Sequence, residues 1–363
     1  MNRSKYWDIV KGIGIFFVVL GHAGCPSLQF AYIFNYFHLA IFFYCSGALY
    51  NDKHSSHPVN YFFEKLKKIY LPLMKYVMAF IFLNNLFIIL KIYSVTNADG
   101  ITAKAWLSIS EIISMMLSAL LTSNYSVELA GAMWMCFPLI ISIVLFSMIR
   151  KISLYFPKIE VMLTVGLSLA FGIVGMIFIR GGIYLTWRSE IAFLTVPIVC
   201  AGFYCKTIKF NIILLVGSCF ILFFSRYHFG LEISYAASII SNYLLFFPAT
   251  FSGIYVVLCF ARLFEKNKYF GKVFSKMGEK SFHIMALHFL CFRIVNMVDI
   301  WINKKDKMEI AKFPTSNYQW WWLYVITGVL IPMLLVKYGD YISKKIQIIL
   351  SQRIEPKSVE PLN

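Results

Sequence analysis

An all-α, polytopic membrane protein of about ten transmembrane helices is the fold class this sequence predicts, and three observations carry that reading. Of its 363 residues, 60% are hydrophobic and only 14% are charged, far from the make-up of soluble domains. The apolar residues fall in runs near the roughly 20 residues that a helix needs to cross a bilayer. The basic residues, which give a formal net charge of +17, sit in short blocks between those runs, where the positive-inside rule puts them. That placement argues for the lipid bilayer as a partner and against nucleic acid.

The first run, 8–24, contains Lys11 and His22. Eleven residues at 100° each return to within about 20° of the same helix face, and they separate the two side chains by about 16 Å along the axis. An ionisable residue inside a span is a functional candidate by default, although Lys11 also has a local partner in Asp8 at i, i+3. Glycines 12, 14 and 21 keep this helix slim enough for a neighbour to come close. The run ends in His22-Ala23-Gly24-Cys25, and His22 stands where a lipoprotein-type signal wants an apolar residue, so the helix is expected to be retained.

Further spans are predicted at 33–50, 69–92, 132–149, 160–179, 190–205, 209–225, 241–263, 281–300 and 319–340. The stretch 105–121 is apolar enough to enter the membrane. If it crossed, the lysine-rich loop 262–280 would face outward against the charge bias, so an interfacial or re-entrant helix is expected there. Both termini then lie in the cytoplasm. With no internal repeat and no Pro/Gly/Ser linker, residues 1–363 read as a single domain. The eight cysteines lie mostly inside apolar runs with no metal-ligand spacing, so neither a disulfide framework nor a metal is expected.

Lys11-x10-His22, then Phe37-His38-x3-Phe42-Phe43-x2-Ser46-Gly47, then Lys65-x2-Lys68 before Pro72, resembles the acyltransferase-3 family of integral membrane O-acyltransferases. Weaker likenesses at Trp134, at 187–202 and at 278–288 (GEKSFHIMALH) extend it over nearly the whole chain. Lysines stand at 65 and 68 where many relatives have arginine, whose planar fork grips phosphate in a way lysine does not. The resemblance implies transfer of an acyl group, most often acetyl, from cytoplasmic acyl-CoA (acetyl-CoA as donor). The acceptor it implies is a sugar hydroxyl of a cell-surface polysaccharide or its lipid-linked precursor, and the location the bacterial cytoplasmic membrane.

O-acyl transfer requires a base for the hydroxyl proton, donors for the oxyanion and a grip on the acyl carrier. His22 is the candidate base, because an imidazole can be neutral at the operating pH and accept a proton in the transition state. Lys11, Lys65, Lys67 and Lys68, on the cytoplasmic side, are candidates for the phosphates of coenzyme A. The Lys11-to-His22 rise is comparable with the reach of an extended pantetheine arm. His38 is close in depth to His22, where it either orients the base or donates to the oxyanion. Trp134, Arg188, Glu190 and Arg293 are candidates for the acceptor site, with the membrane-interface belt as the other reading of Trp134. His288 is placed nearer the cytoplasmic half, packing between helices or facing the carrier. Direct transfer is expected, without an acyl-enzyme on Ser46 or Cys45. A transporter or flippase of lipid-linked sugars is the alternative from another class; no inverted repeat or paired broken helices speak for it.

Overall fold

A computed structural model describes residues 5–24, 27–93, 105–122, 127–306, 309–310 and 312–354. Cys25 and the chain ends expected in the cytoplasm lie outside the described residues. Nearly everything described is helical. The strands among the described residues, β1 (Ile233–Ser234) and β2 (Ile239–Ile240), pair antiparallel as a small hairpin.

Among the described residues six segments are long and apolar enough to cross a membrane: Glu128–Leu154, Pro157–Arg180, Thr186–Cys205, Tyr243–Lys266, Ser281–Ile302 and Tyr318–Ile342. The other expected spans are helical but charged, short or broken. Helix α1 (Lys5–His22) carries Lys5, Asp8 and Lys11, and α11 (Ile212–Tyr227) has 16 residues. The expected span 33–50 is two helices, α2 (Leu28–Asn35) and α3 (Ala40–Ala48), with His38 in the turn between them. The expected span 69–92 is broken at Leu83 between α5 (Leu71–Phe82) and α6 (Asn84–Ile89). It also begins earlier, since α5 continues a π-helical turn at Leu66–Tyr70 and α4 (Pro58–Lys65) without a break.

In the stretch 105–121, α7 (Ile109–Thr122) has 14 residues, about 21 Å of helix and short of a span. It lies antiparallel to α5. Tyr70 Oη donates to Leu120 O at one end (2.7 Å), and the Asn85 amide exchanges bonds with the Leu107 backbone at the other (2.7 and 2.9 Å).

Apolar side chains gain little from leaving lipid for one another, so close backbone contact has to hold the helices together. Two crossings show how. A Cβ on Gly12 of α1 would overlap Phe274 O of α13 (Lys268–Glu279), and one on Gly278 of α13 would overlap Asp8 O of α1. The same reciprocal seating joins α3 to α10 (Ser189–Cys205), with Gly47 against Val199 O and Gly202 against Tyr44 O. Helix α1 is thereby fixed in the core, and Ile9, Val10, Ile13, Ile15, Val18 and Val19 are buried.

At the far end of α8 (Cys136–Leu154) from Trp134, Arg150 locks four segments together. Its guanidinium donates to Asp52 (2.9 and 2.8 Å), to Glu160 of α9 (Glu160–Arg180) at 2.7 Å, to Thr164 Oγ1 (3.2 Å) and to Tyr204 Oη of α10 (3.1 Å). The ring of Phe203 covers it at 4.8 Å.

Candidate functional site

Helix α14 (Ser281–Ile302) runs beside α1 in the same direction. Ile15 and Ser281 line one cavity, and seven residues further along each helix stand His22 and His288. Seven residues lift a side chain by about 10 Å, so the two imidazoles meet: His22 Nδ1 lies 2.9 Å from His288 Nε2. The rings are 5° from parallel with centroids 5.1 Å apart. That separation is the N···N distance plus two ring radii, so the bond lies in the ring plane rather than between stacked faces. His288 Nδ1 faces Ile284 O (3.0 Å) and Met285 O (2.9 Å) of its own helix. Phe289 packs against both rings, at 4.8 Å from His22 and 4.2 Å from His288.

His22, His38, Trp134, Asn35, Val18 and Tyr235 are among the residues lining a cavity of about 220 Å³. The break between α2 and α3 brings His38 here, and its Nδ1–H donates to Phe34 O at 2.8 Å. The neutral ring then offers only an acceptor at Nε2, which does not suit the oxyanion-donor role anticipated for it. No hydrogen bond joins His38 to His22 among the described residues.

Trp134 is backed by Arg188, whose guanidinium sits 5.4 Å from its ring centre. Arg188 is held in turn by Glu190 (2.8 Å), Ser238 Oγ (2.6 Å) and Tyr235 O (3.2 Å). Glu190 is fully buried and also accepts from Leu185 N–H at 3.0 Å. Trp187 and Arg188 take left-handed φ values of 58° and 56°. Two consecutive non-glycine residues there cost on the order of 1–3 kcal/mol each, a strain the surrounding ion pair and hydrogen bonds offset. Arg188 and Glu190 thus form the wall behind the cavity rather than its lining.

A second cavity of about 340 Å³ lies along the N-terminal half of α1, lined by residues including Lys11, Ile15, Phe42, Cys45, Lys68 and Met135. It is mostly apolar, with the two ammonium groups as its charges. Lys11 pairs with Asp8 at 2.7 Å, and Lys68 with Glu64 at 3.6 Å. Lys65 and Lys67 do not line it. Lys65 lies over the Tyr61 ring at 4.8 Å, where burial pulls its ammonium pKa down to about 8, helped by the nearby charge of Lys68. Lys67 is exposed. The two cavities share the same walls at successive heights: Ile15 then Val18 on α1, Phe42 then Leu39 and His38, Met135 then Trp134.

Arg293, expected at the acceptor, lines neither cavity. It is buried and donates to Glu128 (3.0 Å), to Lys312 O (3.0 Å) and to Ile310 O. Its guanidinium covers Phe313, which in turn packs on Phe289, so Arg293 braces the histidine pair from a distance. The partnership of His22 with His288 was not legible from spacing, because the two lie 266 residues apart. Asn35 also went unnoticed, and its signal was slight: it ends α2 one turn before His38.

A family model described as an acyltransferase domain matches residues 4–337, nearly the whole chain. No curated protein and no solved structure matches it.

Proposed function

Because the chain belongs to this acyltransferase family, we propose that it is a membrane enzyme that moves an acyl group, acetyl in the first instance, from cytoplasmic acyl-CoA to a sugar hydroxyl of a surface polysaccharide or its lipid-linked precursor. One observation carries the reading: two cavities on the same face of α1, one with lysines and one with histidines, abut at neighbouring residues of three segments.

In this reading Lys11 and Lys68 hold the carrier's phosphates by charge-assisted bonds, while Lys65 and Lys67 add to the positive field outside. The apolar cavity takes the pantetheine arm. The thioester reaches the level of His22, and the sugar enters the other cavity over the face of Trp134. His22 accepts the hydroxyl proton as the sugar oxygen forms its bond to the acyl carbon. The C–S bond breaks, and the thiolate leaves with that proton as free coenzyme A. His38 Nε2 accepts a hydrogen bond from a neighbouring sugar hydroxyl. Arg188 and Glu190 set the plane of Trp134.

Purified protein with radiolabelled acetyl-CoA and an acceptor glycan tests this. Release of free coenzyme A coupled to label on the glycan is expected, and it is expected to vanish in His22→Ala. Coenzyme A should also protect Cys45 and Cys136, which line the second cavity, from a small thiol reagent. Export of the glycan without thioester consumption would favour a flippase instead, a reading no observation here supports.

A further inference from the structure

We propose that His288 is the positioning residue for the His22 base, fixing its tautomer so that Nε2, and not Nδ1, takes the substrate proton. The inference rests on the acyl-transfer reading for its kinetic consequence, but its structural half stands alone.

The assignment follows from counting donors and acceptors. A carbonyl oxygen only accepts, and His288 Nδ1 lies within bonding distance of two of them, Ile284 O and Met285 O. That nitrogen therefore carries the hydrogen. A neutral imidazole has one N–H, so His288 Nε2 presents a lone pair to His22 Nδ1 at 2.9 Å. His22 Nδ1 must then be the donor, and its lone pair resides on Nε2. Among the described residues Nε2 of His22 has no protein partner, and His22 lines the cavity that also holds His38 and Trp134. A chain of fixed polarity runs from the α14 backbone through two rings and ends at an open base.

The packing is consistent with a device for orientation. His288 has no solvent exposure, and Phe289 and Phe292 lie against it at 4.2 and 5.5 Å. On its other side α15 (Trp321–Ile354) approaches through Gly328, where an added Cβ would crowd Phe292. The ring cannot swing without displacing these neighbours.

When His22 becomes an imidazolium, its Nδ1–H stays bonded to His288 Nε2 and that bond strengthens, because the donor is now charged. This is the part a buried carboxylate plays in serine hydrolases. A neutral acceptor suits a membrane interior better, because an ionised carboxylate is costly there.

Two measurements test the proposal. In protein labelled with ¹⁵N-histidine, with the His22 signals identified by their loss in His22→Ala, the resting ring is expected as the Nδ1–H tautomer. An Nε2–H tautomer overturns the proposal, whatever the reaction. In kinetics, His288→Phe fills the space without an acceptor, whereas His288→Gln offers a carbonyl oxygen near the place of Nε2. The Phe variant should lose about tenfold to a hundredfold in kcat, the range for removing a partner that orients a functional imidazole. Its KM for acetyl-CoA should not change, and the Gln variant should recover most of the loss. Wild-type turnover in His288→Phe, or equal loss in both variants, overturns the positioning role. Transfer that persists in His22→Ala would overturn His22 as the base and His288 with it, whereas no transfer by the wild-type protein would sink the acyl-transfer reading and leave the tautomer measurement to decide the structural half.

Discussion

Arg150 and His288 are both buried polar side chains on membrane helices, and they are satisfied in opposite ways. Around Arg150 every nitrogen of the guanidinium has a partner, two of them carboxylates. Such a network is closed, and its task ends with joining the 52–54 turn to α8, α9 and α10. Around His288 the bonds run in one direction and stop at a nitrogen facing a cavity. A closed network holds structure, whereas an open one leaves a place for a substrate atom.

The comparison breaks if the two clusters respond alike to mutation. The largest effect is expected at His22, where Ala should lower transfer by about 10² or more, the contribution of a general base, with the detergent melting temperature and donor affinity near wild type. Arg150→Ala should do the reverse. Removing one member of a buried ion network typically costs about 3–5 kcal/mol. The lower end is expected here, since Asp52 and Glu160 keep 43% and 30% exposure to water. The thermal melt should fall while transfer per folded molecule is retained. Loss of activity without loss of stability in Arg150→Ala would mean that the closed network also serves the reaction.

A smaller effect is expected at Trp134. Replacing it with Leu should raise the KM for the acceptor up to about tenfold, in keeping with roughly 0.5–1.5 kcal/mol for an aromatic contact beyond its area, and leave the KM for acetyl-CoA alone. The smallest concerns Lys65. Its folded pKa of about 8 lies below the ordinary lysine value of 10.5, so between those two pH values the unfolded chain holds more protons. The contribution of this site to stability should therefore rise as pH increases through that window. Lys65→Met should flatten the dependence in melts recorded from pH 7 to 10, and an unchanged slope would show that Lys65 is not the group responsible.

Much of this was legible in the residues. The Lys11–His22 stripe follows from helix geometry alone, and it puts one residue in each cavity. His38, which opens an apolar run close in depth to His22, and Trp134, a candidate for the acceptor site or the interface belt, both line the cavity that His22 lines. His288 stands level with His22 and not lower, because α13 occupies the space beside the first half of α1 and α14 starts level with Ile15, a placement that the position of His288 within its apolar run does not reveal. Arg293 shows the opposite failure: a buried arginine announces a buried acceptor, and whether that acceptor is a substrate or Glu128 depends on a contact across 165 residues. The break at 36–39 left no glycine or proline to mark it.

The π-helical turn at 66–70 has a consequence of another kind. Leu71 N–H donates to Leu66 O, five residues back rather than four, so one residue more than an α-helix needs is looped into an otherwise continuous rod. Removing one residue there would restore regular winding and leave α4 and α5 facing as they do, because the turn closed by an i to i+5 bond covers about the same rotation as an ordinary helical turn with one residue fewer. Glu64 would stay on the side of Lys68, and Tyr61 would keep its place against Tyr50, on which it packs at 5.7 Å. In the history of such a chain a one-residue change of length is more easily absorbed at 66–70 than in the regular helix on either side, where it would turn everything beyond it by about 100°.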